Sequence, residues 1–167
     1  METQPVVHNT FVMERTYPAS PERVFQAFSI PERKQKWYAQ GSHLAVEHYE
    51  LDFRVGGREI TKSRFGEGTP FPGAALINES TIQDIVPERR IIVASSMSLG
   101  DHHISASLST FEILPDGKGT RLVLTEQTAF LEGADGAERR EQGWRALLDR
   151  LGSELTGTGT PHAQAKA

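Results

Sequence analysis

The sequence contains no cysteine. Disulfides, thiolate metal sites and cysteine nucleophiles are excluded together. It also lacks any run of Lys and Arg, and its formal net charge is −4. Neither nucleic acid nor an anionic membrane surface is therefore an expected partner. No apolar stretch reaches the length of a membrane span, so no membrane insertion is expected. The opening METQPVVHNT has no basic-then-apolar leader pattern, and the cytoplasm is the expected compartment. There is no Gly-x-Ser-x-Gly, hence no nucleophile elbow among the many serines. The glycine pair in DFRVGGRE, residues 52–59, lacks a following Lys-Ser/Thr and leads into a strand rather than a helix. It is not a phosphate loop. His102 and His103 are adjacent on an expected strand and so point to opposite faces. No metal site is expected from them, and no other cofactor.

What is present is an ordinary globular composition, with 167 residues, 37% of them hydrophobic and 24% charged. The expectation is a single domain over residues 8–156, with 1–7 and 157–167 as flexible termini. Residues 8–17 alternate as a first strand. PASPERVFQAFSI then begins a helix, with Ser20 as N-cap, Pro21 at the first helical position and Glu22 in the first turn. Pro31 interrupts it and opens a second short helix to Trp37. Strands follow near 44–54, 58–66, 74–86, 90–99, 102–114 and 120–130. GEGTPFPGA at 66–74 reads as a loop and PDGKG at 115–119 as a hairpin turn. The last element is a helix from Gly136 or Ala137, on which Trp144, Leu147, Leu148, Leu151 and Leu155 form one apolar stripe.

A long amphipathic helix must bury its stripe and a meander must bury one face. The economical arrangement is a sheet curled around the helix, an α+β layout. Such curvature needs bends, and Gly56–Gly57 stands where one strand would end and the next begin.

Four blocks then carry a family resemblance. FVMERTYPASPERVFQAFSIPERKQKWYA, DFRVGGRE, GKGTRLVLTEQ and EQGWRALLDRLGSEL follow one another as in the START-like, or SRPBCC, superfamily. The branch they most resemble is named for the C-terminal domain of the activator of the heat-shock protein 90 ATPase. The resemblance implies a helix-grip fold, in which a curved seven-stranded antiparallel sheet holds the long C-terminal helix, with two short helices after strand 1. It also implies an internal cavity. Members bind lipids, hormones or polyketides, cyclise polyketides, confer resistance to natural products, or act as co-chaperones.

The expected function is accordingly the binding of a small hydrophobic molecule. A cyclase- or hydrolase-type enzyme and a co-chaperone-like interaction module stand as alternatives, and a homodimer is compatible with either. No catalytic residue is assigned. Strand alternation supplies the candidate cavity residues. Leu122 and Leu124 facing inward carry Glu126 and Thr128 with them. Phe111 and Ile113 carry Ser109, Ser107, Ser105 and His103, while Ile91 and Val93 carry Ser95 and Met97. The family pattern points Glu59, Thr61 and Ser63 inward. Trp37 is a candidate lid, and Trp144 and Leu148 candidate walls. Buried carboxylates at 59 and 126 would either anchor a ligand or be satisfied by a solvated mouth or an arginine such as Arg58 or Arg121. GADGAERREQGW, ahead of the helix stripe, reads as a surface connection, with a gate over the cavity as the alternative.

Overall fold

The computed structural model describes residues 3–40 and 44–157. Strand β1 (Val7–Tyr17) leads into α1 (Pro21–Ser29) and α2 (Pro31–Tyr38). Six strands follow: β2 (Leu44–Leu51), β3 (Arg58–Phe65), β4 (Ala75–Val86), β5 (Arg90–Leu99), β6 (His102–Asp116) and β7 (Gly119–Phe130). The chain ends in α3 (Ala137–Thr156). One antiparallel sheet takes the order β1-β7-β6-β5-β4-β3-β2, so the first strand closes beside the last. This is the expected α+β helix-grip fold with its seven strands. Of the terminal segments expected to be flexible, 1–2 and 158–167 lie outside the described residues.

Local chemistry sets the element boundaries. Ser20 accepts a hydrogen bond from the Arg23 backbone N–H and Pro21 occupies the first turn of α1. Pro31 does the same positional work for α2. α3 stops at Gly157, which adopts the left-handed conformation at φ 74°.

Register shifts at Glu47, Gln83 and Ile104 bend the sheet. The segment 52–57 bends it further. Gly56 has φ 83°, and its N–H donates to Ile82 O on β4 at 2.8 Å. Gly57 is required for a different reason: a Cβ there would stand 2.0 Å from Asp52 O. The bend brings β3 back beside β4 in a register that aligns Glu59 with Ser80.

The core occupies only one end of the gripped volume. Leu148, Leu151 and Leu155 on α3 pack with Met13, Tyr17, Val24, Phe28, Leu122 and Leu124. Tyr17 donates its hydroxyl to Leu148 O at 2.7 Å, and Arg23 donates to Leu155 O at 2.7 Å. These bonds tie α3 to β1 and α1. Towards the other end, between α2, α3 and the concave face, the side chains do not close the space.

Candidate functional site: a cavity with two polar stations

The open end holds a cavity of about 560 Å³, within the size range of small-molecule sites. Its floor is the concave face of the sheet, where register aligns side chains from strand to strand. Glu59, Ser80, Ser95, Ser107 and Thr128 form one transverse row across five strands. Thr61, Asn78, Met97 and Ser105 form the next. The hydroxyls of Ser80 and Ser95 bond each other at 2.9 Å, and those of Ser107 and Thr128 at 3.0 Å. Apolar side chains cover the rest, among them Val93, Phe111, Leu147 and Trp144. Phe71, half exposed in the 66–74 loop, stands at the rim against Phe65.

One polar station is built on β3 and α2. Glu59 is 4% exposed and Lys34 6%. The Lys34 ammonium donates to both Glu59 oxygens at 3.0 and 3.1 Å, and Tyr49 donates its hydroxyl to Glu59 Oε2 at 2.6 Å. Lys34 Nζ also lies 4.2 Å from the centre of the Tyr38 ring, where the quadrupole favours a cation. Burial, with the Glu59 charge next, pushes the Tyr38 and Tyr49 hydroxyls far above the usual phenol range. Both stay protonated and can serve as donors.

The second station is built on β6, β7 and α3. Glu126 is 2% exposed, and Ser109 donates to its two oxygens at 2.9 and 3.1 Å. Burial pushes its carboxyl up to about 7, opposed by the hydrogen bond from Ser109, the Arg140 charge and further hydrogen bonds from Ser107 and Trp144. Arg140 enters from the first turns of α3. Asp135 clamps it at 2.7 and 2.8 Å, and it donates to Ser105 at 2.9 Å. Its guanidinium lies 5.2 Å from the centre of the Phe130 ring.

Glu126 should leave a pH signature on stability. Its folded pKa is raised, so folding is favoured most below the unfolded value of 4.5. The contribution is lost as pH rises from there through about 7. The full loss is on the order of 3 kcal/mol. Glu126→Gln should therefore flatten that window and leave the variant more stable than the parent above neutrality. Urea unfolding at pH 5 and pH 8 tests this; an unchanged pH slope would contradict the burial argument.

Of the residues expected at the cavity, Glu59, Thr61, Ser95, Met97, Ser105, Ser107, Glu126 and Trp144 line it. Four do not. Trp37 is fully buried in the core, with Nε1 donating to Ala27 O at 2.9 Å. It is no lid. Leu148 is also fully buried in the core. The α3 stripe is in fact two adjacent faces. Arg140, Gly143, Trp144, Leu147 and Arg150 line the cavity, whereas Leu148, Leu151 and Leu155 fill the core. Thr128 faces inward and is buried, but it bonds Ser107 and does not line the cavity. His103 is exposed, as is His102. Met97 pairs with Ser105 but Ser98 pairs with His103, so Ile104 is an extra residue that resets the alternation. Ile104 and Ser105 are consequently both buried.

The partners of the carboxylates also differ from expectation. Arg58 lies 3.9 Å from Glu79 and Arg121 3.1 Å from Glu14, so neither serves Glu59 or Glu126. Sequence reasoning missed Lys34, Tyr38, Asn78, Asp135 and Arg140. Two helical spacings could have found some of them. Lys34 precedes Trp37 by three and Tyr38 by four, and Arg140 precedes Trp144 by four. The 133–144 segment, read as surface connection, places Asp135, Arg140 and Trp144 at the cavity.

The comparisons with known proteins agree on one family. The family model described as Activator of Hsp90 ATPase homolog 1-like protein matches residues 18–156. A crystal structure from Rhizobium loti is 43% identical with a TM-score of 0.80, covering 91% of this chain and 100% of its own. A structure from Rhizobium leguminosarum is 38% identical with a TM-score of 0.84, covering 91% and 97%. DynU16, from the dynemicin biosynthetic locus, shares the fold at 19% identity and a TM-score of 0.62. That match covers 91% of this chain and 48% of DynU16. None of the curated proteins matches.

Proposed function

The chain belongs to the Activator of Hsp90 ATPase homolog 1-like family, and from that premise we propose that it binds a small, largely hydrophobic molecule in the internal cavity. A lipid, a polyketide or an aromatic metabolite would suit a space of about 560 Å³. The observation that carries this reading is the incomplete closure between α3 and the sheet. A domain that needed only stability would fill such a volume with side chains, because interiors pack near crystal density. Here small serines occupy the floor instead. The two buried carboxylate stations supply orientation, and the apolar walls supply affinity. We take the cytoplasm as its compartment, on the composition alone. If the ligand is also transformed, Glu126 is the group to hold and release a proton near neutral pH. Turnover is the second reading for that reason.

Thermal denaturation with a panel of fatty acids, flavonoids and polyketides tests binding. A cavity ligand at a hundredfold excess over its Kd should stabilise by about 2.7 kcal/mol, raising Tm by roughly 5–10 °C. No shift with any member of the panel, and no small molecule carried through purification by native mass spectrometry, would overturn the proposal.

A further inference from the structure

We propose that the ligand presents a carbonyl oxygen to Glu126, and that this oxygen accepts the hydrogen bond Glu126 donates as a carboxylic acid. This rests on the ligand-binding reading and adds the chemical class to it.

The charges around the cavity lead to this assignment. Lys34 on α2 is held by Glu59 on β3, and Tyr49 on β2 completes that station. Arg140 on α3 is held in a fork by Asp135 and anchored on Ser105. Tyr38 on α2 accepts from Asn78 on β4 at 2.8 Å. β1 sets Phe11 beside Glu126 and brings no charge to it. Lys34 and Arg140 are therefore each matched by a carboxylate, whereas Arg150, half-buried on α3 at the cavity, donates to Gln40 O and bonds no carboxylate among the described residues. Among the described residues no ammonium or guanidinium bonds Glu126 directly. An ionised Glu126, 2% exposed, would be a buried carboxylate with no cation bonded to it, and expelling water with an apolar ligand would make it costlier still.

The hydrogen bonds that Glu126 accepts favour its ionised form, and burial outweighs them. Ser109 donates to the carboxyl at 2.9 and 3.1 Å. One donor thus already faces the carboxyl oxygens. The proton of the acid form finds its acceptor in the cavity, where Glu126 forms part of the wall. A ketone, lactone or quinone oxygen supplies such an acceptor. A ligand carboxylate placed at Glu126 would find Arg140 already paired with Asp135, and an amine there would require the ionised form. Burial already raises the carboxyl to about 7, so docking such an oxygen near neutral pH takes up a proton. The affinity of a ketone should then fall as pH rises.

Matched neutral probes test this: 9-fluorenone against fluorene, and benzophenone against diphenylmethane, each titrated by calorimetry at pH 6 and pH 9. The ketones should bind about tenfold more tightly than their hydrocarbons at pH 6, and the advantage should vanish at pH 9. Glu126→Gln, whose amide donates at any pH, should keep the advantage at both. Glu126→Leu should lose it at both, with circular dichroism confirming that each variant folds. Equal affinity of ketone and hydrocarbon at pH 6 overturns the inference while leaving the ligand-binding reading intact. An advantage that is flat with pH in the parent protein, or tighter binding of 9-aminofluorene than of fluorenone at pH 8, also overturns it. If neither member of either pair binds while a member of the panel does, the inference falls and the reading beneath it stands.

Discussion

Replacing Lys34 with Met should destabilise the protein by about 3–5 kcal/mol, the range for removing one partner of a buried ion pair. The side chains of Lys34 and Glu59 are only 8% and 5% exposed, so water cannot replace the lost ammonium. Glu59 would keep the Tyr49 hydroxyl, 2.6 Å away, but one neutral donor does not compensate a buried carboxylate. The reverse substitution, Glu59→Gln, should cost less. Lys34 would still face the Tyr38 ring at 4.2 Å, with Trp37 and Phe28 at 5.5 and 5.6 Å. Removing both charges, as Lys34→Met with Glu59→Leu, should recover most of the loss, because desolvation offsets much of what the pair gains from attraction. Guanidinium unfolding of the parent, Lys34→Met, Glu59→Leu and the double variant closes a double-mutant cycle. A Lys34→Met protein as stable as the parent would mean that the pair is solvated. The same cycle bears on function, since both residues line the cavity. If the double variant is stable yet binds ligands poorly, the pair is maintained for recognition.

The fold was legible because its signals are local and repeat. Pro21, Pro31 and the glycine-rich loops mark boundaries, and the α3 stripe marks the gripped helix. Strand alternation likewise carried the inward orientation of Glu126, since β7 pairs with β1 and β6 without a register shift. It failed at His103, where one bulged residue, Ile104, inverts the faces beyond it. No composition rule announces that bulge. The partners of the buried charges were illegible for another reason. Lys34 and Glu59 are 25 residues apart, and their meeting depends on how α2 sits over β3. A lysine on a short, strongly charged helix looks like a surface residue until that packing is known. Arg140 was hidden by the same logic, in a segment where charge and glycine together resemble a surface loop. Alternation and spacing give a side chain's direction along its own element, whereas its partner is set by packing between elements.

Trp37→Ala should destabilise by about 3–5 kcal/mol and leave ligand dissociation rates nearly unchanged in whatever fraction stays folded. A lid would behave in the opposite way, with little stability lost and dissociation faster. The placement of Trp37 decides between them. It is fully buried, its ring stands 5.1 Å from Phe28 and 5.7 Å from Tyr38, and its indole N–H bonds Ala27 O at 2.9 Å. Truncation removes the largest of the fully buried side chains and strands the Ala27 carbonyl, so a packing loss and an unsatisfied acceptor add. Trp37→Phe should separate the two, retaining much of the packing while losing the bond, at about 1–2 kcal/mol. Denaturant unfolding with stopped-flow release of a bound fluorophore reads both quantities on one sample. Unimpaired stability with accelerated release would restore Trp37 as a gate. The expected result instead makes Trp37 the hinge pin of α1 and α2, positioning Lys34 and Tyr38 on the same helix.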